Sequence, residues 1–431
     1  MDMKKVLIIT WDMMPFTKVW GNCQRMYFLA DYLSDMGDCV DVICAYNSKD
    51  VNGGNCEIPF NVLAFDFYGR HRKPARKENN IKKNPKKDMI RNLLILIADV
   101  FARLVNMFYN ESNYRNSLKV LLWTLQNRKN IRNQLEEKTY DSIIISGPPH
   151  TLFREVNLAR RYGTNVILDY RDPWNLWRKK YPLSCVIEKS VIKQADKIVF
   201  TNDNVRLDTI AKYKIDPSKT EVIANGYSKK MWNSAFEQGK LEKSSESDIF
   251  KIAYVGGIGI NNRAEYRDCT NLVLAYKKFK SNKNCRLKII GVTDIKERDI
   301  ELYHADGIEL RGQITEIESF KEMVNADVLV ILHTPKDDSG KYIVSAKLYD
   351  YMASGSCILS IGNKGDLHQE LVEDNRLGVF SVNSQKEIMN KLDFLYGLWK
   401  EDKLLKRDSN NITNLELFSR ENQYANYRKL L

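Results

Sequence analysis

Two stretches of the chain place reactive residue types at spacings that suit an anionic ligand. In Tyr254-Val255-Gly256-Gly257-Ile258-Gly259 three glycines fall within four positions at the end of an apolar run. Missing side chains there let backbone N–H groups approach a diphosphate closely. Arg263 and Arg267 follow, and a guanidinium fork matches phosphate oxygens. The glycine spacing is not a dinucleotide fingerprint and no helix begins at once, which disfavours NAD. The second stretch runs from Ser345 through Ala346-Lys347-Leu348-Tyr349-Asp350-Tyr351-Met352-Ala353-Ser354 to Gly355. Ser345 is expected to cap a helix that Gly355 ends. Lys347 in the first turn opposes the helix dipole at a cost of roughly a few tenths of a kcal/mol, which a bound anion reverses. Asp350, three residues on and on nearly the same face, either accepts from a ribose diol or forms a surface pair with Lys347.

The first half of the chain offers softer signals. Pro15-Phe16-Thr17-Lys18-Val19-Trp20-Gly21-Asn22 leads into a helix, and Gly21 at its start lets N–H groups approach a phosphate or sugar, or serves only the loop. Ser146-Gly147-Pro148-Pro149-His150 follows a strand, so His150 is expected at the ligand edge, bonding a sugar hydroxyl or leaving group, or else capping the next helix. Asp169-Tyr170-Arg171-Asp172-Pro173-Trp174 packs charges and aromatics into six positions. Arg171 and Asp172 bind an acceptor, or else Arg171 simply pairs with Asp169 or Asp172 to order the loop.

The elements that must carry these loops alternate between strand and helix. Strands are expected at Lys5–Thr10, Cys39–Cys44, Asp141–Ser146, Asn165–Tyr170 and Lys197–Thr201, with a helix over Cys23–Met36. A second block shows strands at Phe250–Val255, Leu287–Ile290, Ile308–Leu310, Val328–Leu332 and Cys357–Ile361. Such alternation reads as parallel sheets wrapped in helices, with ligands at the C-terminal strand ends. The 431 residues exceed one core, so two Rossmann-like domains are expected at 1–225 and 226–410, with a helix over 411–431 and a linker near Lys240–Asp248.

Residues 70–137 interrupt the first block. Between Arg70 and Arg91 ten Lys or Arg stand against Glu78 and Asp88, a local net charge of +8 within a chain of net +12, and this run should attract phosphates. The apolar stretch from Asn92 to Tyr109 contains Asp99 and Arg103, which make it a poor membrane span. It suits a helix lying either on its own domain or on a bilayer surface. Interleaved aromatics are lacking in the basic run, which disfavours nucleic acid. Eight scattered cysteines without paired spacing, and an N-terminus that runs straight into a strand, point to a cytoplasmic setting, with peripheral contact on the inner membrane face.

Jointly and in register, the Pro15–Gly21 loop, Ser146–His150, Asp169–Trp174, Glu188 to Asp196, Asn225-Gly226, Tyr254–Gly257 and Lys347–Gly355 resemble the retaining glycosyltransferases of family 4, in the branch that builds bacterial surface polysaccharides. The resemblance implies an α/β chain of GT-B architecture, two Rossmann-like domains facing each other across a cleft, with acceptor on the first and nucleotide-sugar donor on the second. It implies that Gly21, Gly256, Gly257, Arg263 or Arg267, Ser345, Lys347 and Asp350 hold the donor. Arg171 and Asp172 would face the acceptor, and His150, Lys347 and Arg263 would act on the transferring sugar and leaving group. Tyr342 stands where the family carries the first of two glutamates eight positions apart, and Asp350 where it carries the second. The expected acceptor is a glycan or lipid-linked glycan. No metal and no cofactor are expected, since cations and N–H dipoles stabilise the leaving diphosphate and no clustered carboxylates offer a metal site. A GT-B sugar-nucleotide epimerase and a catalytically silent nucleotide-sugar-binding subunit are the rival readings.

Overall fold

The computed structural model describes residues 2–17, 20–47, 58–72, 88–177, 181–237, 248–258, 267–291, 301–304, 306–404 and 415–431. Most of the basic run and the expected linker therefore lie outside the described residues. The chain forms two compact units, residues 1–224 with 423–431 and residues 225–422.

The first unit is built on seven parallel strands: β1 (Lys5–Ile9), β2 (Cys39–Ala45), β3 (Asn61–Phe65), β4 (Ser142–Gly147), β5 (Asn165–Tyr170), β6 (Lys197–Phe200) and β7 (Thr220–Val222). They lie in the order β3-β2-β1-β4-β5-β6-β7. Parallel neighbours need a crossover after every strand, and runs such as Val6-Leu7-Ile8-Ile9 are apolar on both faces because both are covered. One face packs Val6, Ile8, Val42 and Ile144 against Met26, Leu29 and Leu33 of helix α1 (Trp20–Asp35). Gly21 thus lies inside the first turn of α1 and not in a loop ahead of it.

The insertion is a helical hairpin, α2 (Asp88–Tyr109) and α3 (Tyr114–Glu137). Helix α3 is held to the sheet by Trp123, which is fully buried and donates its indole N–H to the Phe65 carbonyl at 2.9 Å. Asp99 of α2 accepts from the Tyr114 hydroxyl and the Arg115 guanidinium, each at 2.7 Å, so the charge that spoils a membrane span ties the two helices together. Among the described residues no helix is long and apolar enough to cross a membrane. Short helices α4 (Val156–Ala159), α5 (Pro182–Gln194) and α6 (Asp203–Tyr213) complete the crossovers.

The second unit opens with α7 (Lys229–Glu237) and has six parallel strands: β8 (Phe250–Val255), β9 (Cys285–Ile290), β10 (Ile308–Arg311), β11 (Val328–His333), β12 (Cys357–Gly362) and β13 (Gly378–Val382). Their order is β10-β9-β8-β11-β12-β13. One face is covered by α8 (Thr270–Phe279) and the long helix Gln385–Lys400, whose Leu272, Tyr276, Ile388 and Leu392 pack on Ile252, Leu287, Val330 and Leu359. Between these elements run α9 (Glu316–Asn325), α10 (Lys347–Ser354) and α11 (Leu367–Asp374), so that the long helix is α12. The last helix, α13 (Arg420–Arg428), begins in the second unit and ends in the first.

In the first unit the final residues fasten a buried ion pair. Arg25 of α1 clasps Asp169 at the end of β5 with Nε at 3.0 Å and Nη2 at 2.9 Å, both side chains being buried. The Tyr424 hydroxyl donates to the Arg25 carbonyl at 3.1 Å, and the Gln423 side-chain oxygen accepts from the Ala224 N–H at 2.7 Å. Arg171 is therefore not the partner of Asp169. It donates its N–H to the Gly147 carbonyl at 2.9 Å. Removing one member of a buried pair leaves a charge without its counterion. Arg25→Ala is expected to cost the first unit roughly 3–5 kcal/mol, read as an earlier unfolding transition for peptides of residues 2–224 by pulsed hydrogen exchange in urea, with the second unit's transition unmoved.

Candidate functional site

In the second unit strands β8 and β11 pair only through Ile252 with Val328 and Ala253 with Leu329. Beyond that point they part, and the Tyr351 hydroxyl from α10 stands in the gap. It accepts from the Val255 N–H at 3.0 Å and lies 3.2 and 3.3 Å from the carbonyls of Val255 and Val330. A buried backbone donor that lost its ladder partner is thereby satisfied. This is also where the strand order reverses, the place at which doubly wound sheets leave a crevice. A cavity of about 150 Å³ opens there, lined among others by Tyr254, Arg267, His333, Ser345, Lys347 and Tyr351.

Gly256 lies against the side chain of Lys347, which lines this cavity. Its φ is +141°, and a Cβ on it would lie 1.7 Å from the Lys347 ammonium nitrogen. The sequence therefore needs glycine twice over, for the backbone conformation and for the space the amine occupies. Gly291, at φ +93°, packs its own backbone on Gly256, where a Cβ would come within 2.9 Å of the Gly256 carbonyl carbon. The Gly256 N–H is spent on the Ile290 carbonyl at 2.7 Å. Gly257 is exposed with open space beside it, and its carbonyl accepts from the Tyr254 hydroxyl at 3.0 Å.

Lys347 thus reaches from the first turn of α10 to the glycine bend, with its amine 4.9 Å above the Tyr254 ring. Burial, and then repulsion from Arg267, push its pKa from the usual lysine value down to about 7. Among the described residues no carboxylate pairs with it. Of the two arginines expected beside the glycines, Arg267 lines the cavity and Arg263 lies outside the described residues.

The start of α10 corrects the expected cap. Ala346, not Ser345, precedes the helix and no side chain caps it. The Ser345 N–H instead donates to His368 Nε2 at 3.0 Å, while its carbonyl accepts from Leu348. His368 in turn lies against His333, ring centroids 4.8 Å apart. Burial and then the neighbouring imidazole hold His368 down at about 3, and burial with Arg267 holds His333 at about 4. Both are neutral rings at physiological pH, and neither was legible as part of the site because each enters from a different strand or helix. Gly355 ends α10 at φ +77°, in the left-handed conformation expected of it.

Asp350 does not line the cavity. Its carboxylate accepts from the Trp232 indole at 3.5 Å, and burial raises its pKa against the opposing pull of Arg420 and that hydrogen bond. Glu316, at the first turn of α9, is raised in turn by burial and by the Asp350 charge. Tyr342 sits on the loop that leads into α10, its N–H on the Ser339 carbonyl at 3.0 Å.

The remaining expected residues belong to the first unit. Gly21 is exposed, with nothing within 4 Å of a would-be Cβ. His150 is buried completely, contrary to its expected place at the ligand edge. Residues 150–155 turn into a 3-10 helix that draws the imidazole between Phe153, Tyr170 and Trp174, stacked on the last at 5.2 Å and 7°. Its Nε2 donates to the Asp172 carbonyl at 2.9 Å. Gly147 is required here as well, since a Cβ would meet the Phe153 ring at 2.9 Å. His150, Arg171 and Asp172 thus form one packed pair of loops at the ends of β4 and β5.

The family model described as Glycosyltransferase Family 4 matches residues 100–229. No match is found among curated protein sequences. Among solved structures, a glycosyltransferase from Rickettsia africae ESF-5 is similar at 13% identity over 100% of this chain and 98% of its own, with a TM-score of 0.61. Anabaena Alr3699/HepE in complex with UDP and glucose gives 12% identity, 99% and 100% coverage and a TM-score of 0.58. The lipopolysaccharide outer core galactosyltransferase WaaB gives 12%, 99% and 98%, and 0.56. These likenesses and the two doubly wound sheets establish the GT-B fold.

A partly buried cation with no carboxylate beside it among the described residues destabilises the empty protein. Lys347→Met is expected to raise the melting temperature of the second unit in the absence of ligand, by a stabilisation on the order of 1 kcal/mol; unchanged or lowered stability in calorimetry would mean the amine is not desolvated.

Proposed function

We propose that the chain is a GT-B glycosyltransferase that transfers a sugar, with retention, from a nucleoside diphosphate sugar to a lipid-linked or otherwise anionic glycan in surface-polysaccharide synthesis, a reading supported by the match of residues 100–229 to the glycosyltransferase family 4 model. The observation that carries this is the desolvated Lys347 amine seated on Gly256 beside Arg267, in the crevice where β8 and β11 part. A diphosphate suits such a site, because the Lys347 and Arg267 cations and an exposed glycine backbone match its charge and its width. HepE bound to UDP and glucose supports a uridine donor for this fold.

In the proposed reaction the anomeric carbon–oxygen bond to the diphosphate breaks as the acceptor oxygen closes on the same face, and the leaving oxygen takes the acceptor's proton. Charge gathers on the diphosphate, so Lys347 and Arg267 act where it develops. Asp350, with Glu316 beside it, is assigned to the ribose diol. His150 is assigned to holding the acceptor-side loop through Asp172, with Arg171 and Asp172 nearest the acceptor.

The hairpin brings the protein to the lipid. Leu96, Val100, Phe101, Leu104, Met107 and Phe108 of α2 are all exposed, Phe101 at 55% and Leu104 at 51%, while Ala102 and Asn106 face inward. A contiguous apolar stripe of this size, next in sequence to a +8 run, suits the interface of an anionic leaflet. Phe101→Ser with Leu104→Ser removes roughly 1.5–3 kcal/mol of burial per side chain, so cosedimentation with anionic vesicles should weaken by at least about tenfold; equal binding would refute the docking face.

Lys347 also gives a pH signature. In the empty site the amine is half protonated near pH 7, whereas a bound diphosphate favours the ammonium. Below pH 7 this group adds no pH dependence, and above it binding must recruit a proton. The dissociation constant of UDP is therefore expected to rise between pH 7 and 9, by at most about tenfold per unit, with proton uptake visible by calorimetry in two buffers. Lys347→Arg should flatten the slope. Release of nucleotide only when acceptor is present separates a transferase from an epimerase, and a silent subunit would bind UDP without turnover.

A further inference from the structure

The turn joining α2 to α3 is built unlike an ordinary surface turn. Asn110 and Glu111 are only 4% and 5% exposed, and Asn110 takes the left-handed backbone at φ +47°. Polar side chains at a hairpin tip are ordinarily solvated, so their burial has to be explained by what they hold. The Glu111 carboxylate accepts from the Thr151 N–H at 2.8 Å and from its hydroxyl at 2.9 Å, with its other oxygen 3.7 Å from His150 Nδ1. The Asn110 amide donates to Asn175 at 2.7 Å, and the Trp174 indole donates to the Tyr109 carbonyl. Three consecutive residues thus grip both loops that leave the C-terminal ends of β4 and β5.

The turn is equally fixed to its own hairpin. The Glu111 N–H donates to the Asn106 side-chain oxygen at 2.8 Å, and the Ser117 hydroxyl of α3 donates to the same oxygen. Buried hydrogen bonds of this kind do not stretch, so a shift of α2 carries the loops with it or breaks the bonds. The opposite face of α2 carries the exposed apolar stripe.

We infer that the Tyr109–Glu111 turn is a mechanical link through which seating of α2 on a lipid surface sets the positions of His150–Thr151 and Trp174–Asn175. Glu111 and Asn110 are then positioning residues for the acceptor-side loops, and the first unit presents an ordered acceptor site only where lipid-borne substrate is at hand. The inference rests on the membrane reading given above.

The test uses the full chain, vesicles of phosphatidylcholine with phosphatidylglycerol, and hydrogen exchange with and without them. Wild type should bind and slow exchange in peptides covering 147–156 and 170–176 by about threefold or more. Glu111→Ala should bind vesicles as wild type does yet lose the slowing, and Glu111→Gln, which keeps an oxygen for Thr151, should restore it. Asn110→Gly keeps the left-handed backbone and removes the tie to Asn175, so it should lose the slowing in 170–176 alone, and it decides the matter if Glu111→Ala does not fold. Failure of wild type to bind overturns the membrane reading and the link with it. Binding without loop protection, or protection undiminished in both Glu111→Ala and Asn110→Gly, overturns the link while the membrane reading stands.

Discussion

A half-buried amine with no carboxylate beside it among the described residues is the constraint around which the second unit is arranged. Lys347 reaches its seat only because Gly256 has no side chain, and Gly256 holds its backbone only because Gly291 lets the next strand's loop lie flat on it. The Tyr351 hydroxyl, from the same helix as Lys347, keeps β8 and β11 apart at the level where the cavity begins. Helix α10 therefore does two things at once: it wedges the sheet open and delivers a cation into the opening. The cost of that arrangement in the empty state is what makes an anionic ligand its natural completion.

Much of this was legible in the chain itself. An apolar run ending in glycines announced β8 and its bend, and the spacing from Lys347 to Gly355 announced α10 and its left-handed end. Both depend on short-range rules, strand burial and helix termination, that the sequence states directly. What escaped notice came from long range. Ser345 looks like a cap by type, but its backbone is claimed by His368, twenty-three positions away. His150 looks like a ligand by its place after a strand, but Phe153, Tyr170 and Trp174 close over it. Asp350 reads as a partner of Lys347 on the helix surface, yet Trp232 draws it elsewhere. Three strands, β3, β7 and β13, were missed because they sit at sheet edges, where half-burial leaves short and mixed patterns.

The first unit solves a different problem. Two of its buried groups are paired or hydrogen-bonded, Arg25 with Asp169 and Glu188 with Tyr213 and Asn175, Glu188 being raised by burial and steadied by its two donors. Saturated polar networks specify one geometry where an apolar core would tolerate several. Here they lie beneath the loops that carry Arg171, Asp172 and Trp174 and fix the strand ends from which those loops leave. Among the described residues the second unit leaves the Lys347 amine without a carboxylate where a small anion would sit, whereas the first pairs Arg25 with Asp169.

The return of residues 423–431 to the first unit has a consequence for how the protein comes into being. Tyr424 and Tyr427 fill the same core as Met26 and Leu33, so that core lacks two of its largest members until residues 423–431 have been made. The second unit is, in connectivity, an insertion within the first. A nascent chain emerging from the ribosome can complete residues 225–422 as a body while residues 1–224 still wait for residues 423–431. Completion of the first unit is thereby postponed until the residues of the second have been made.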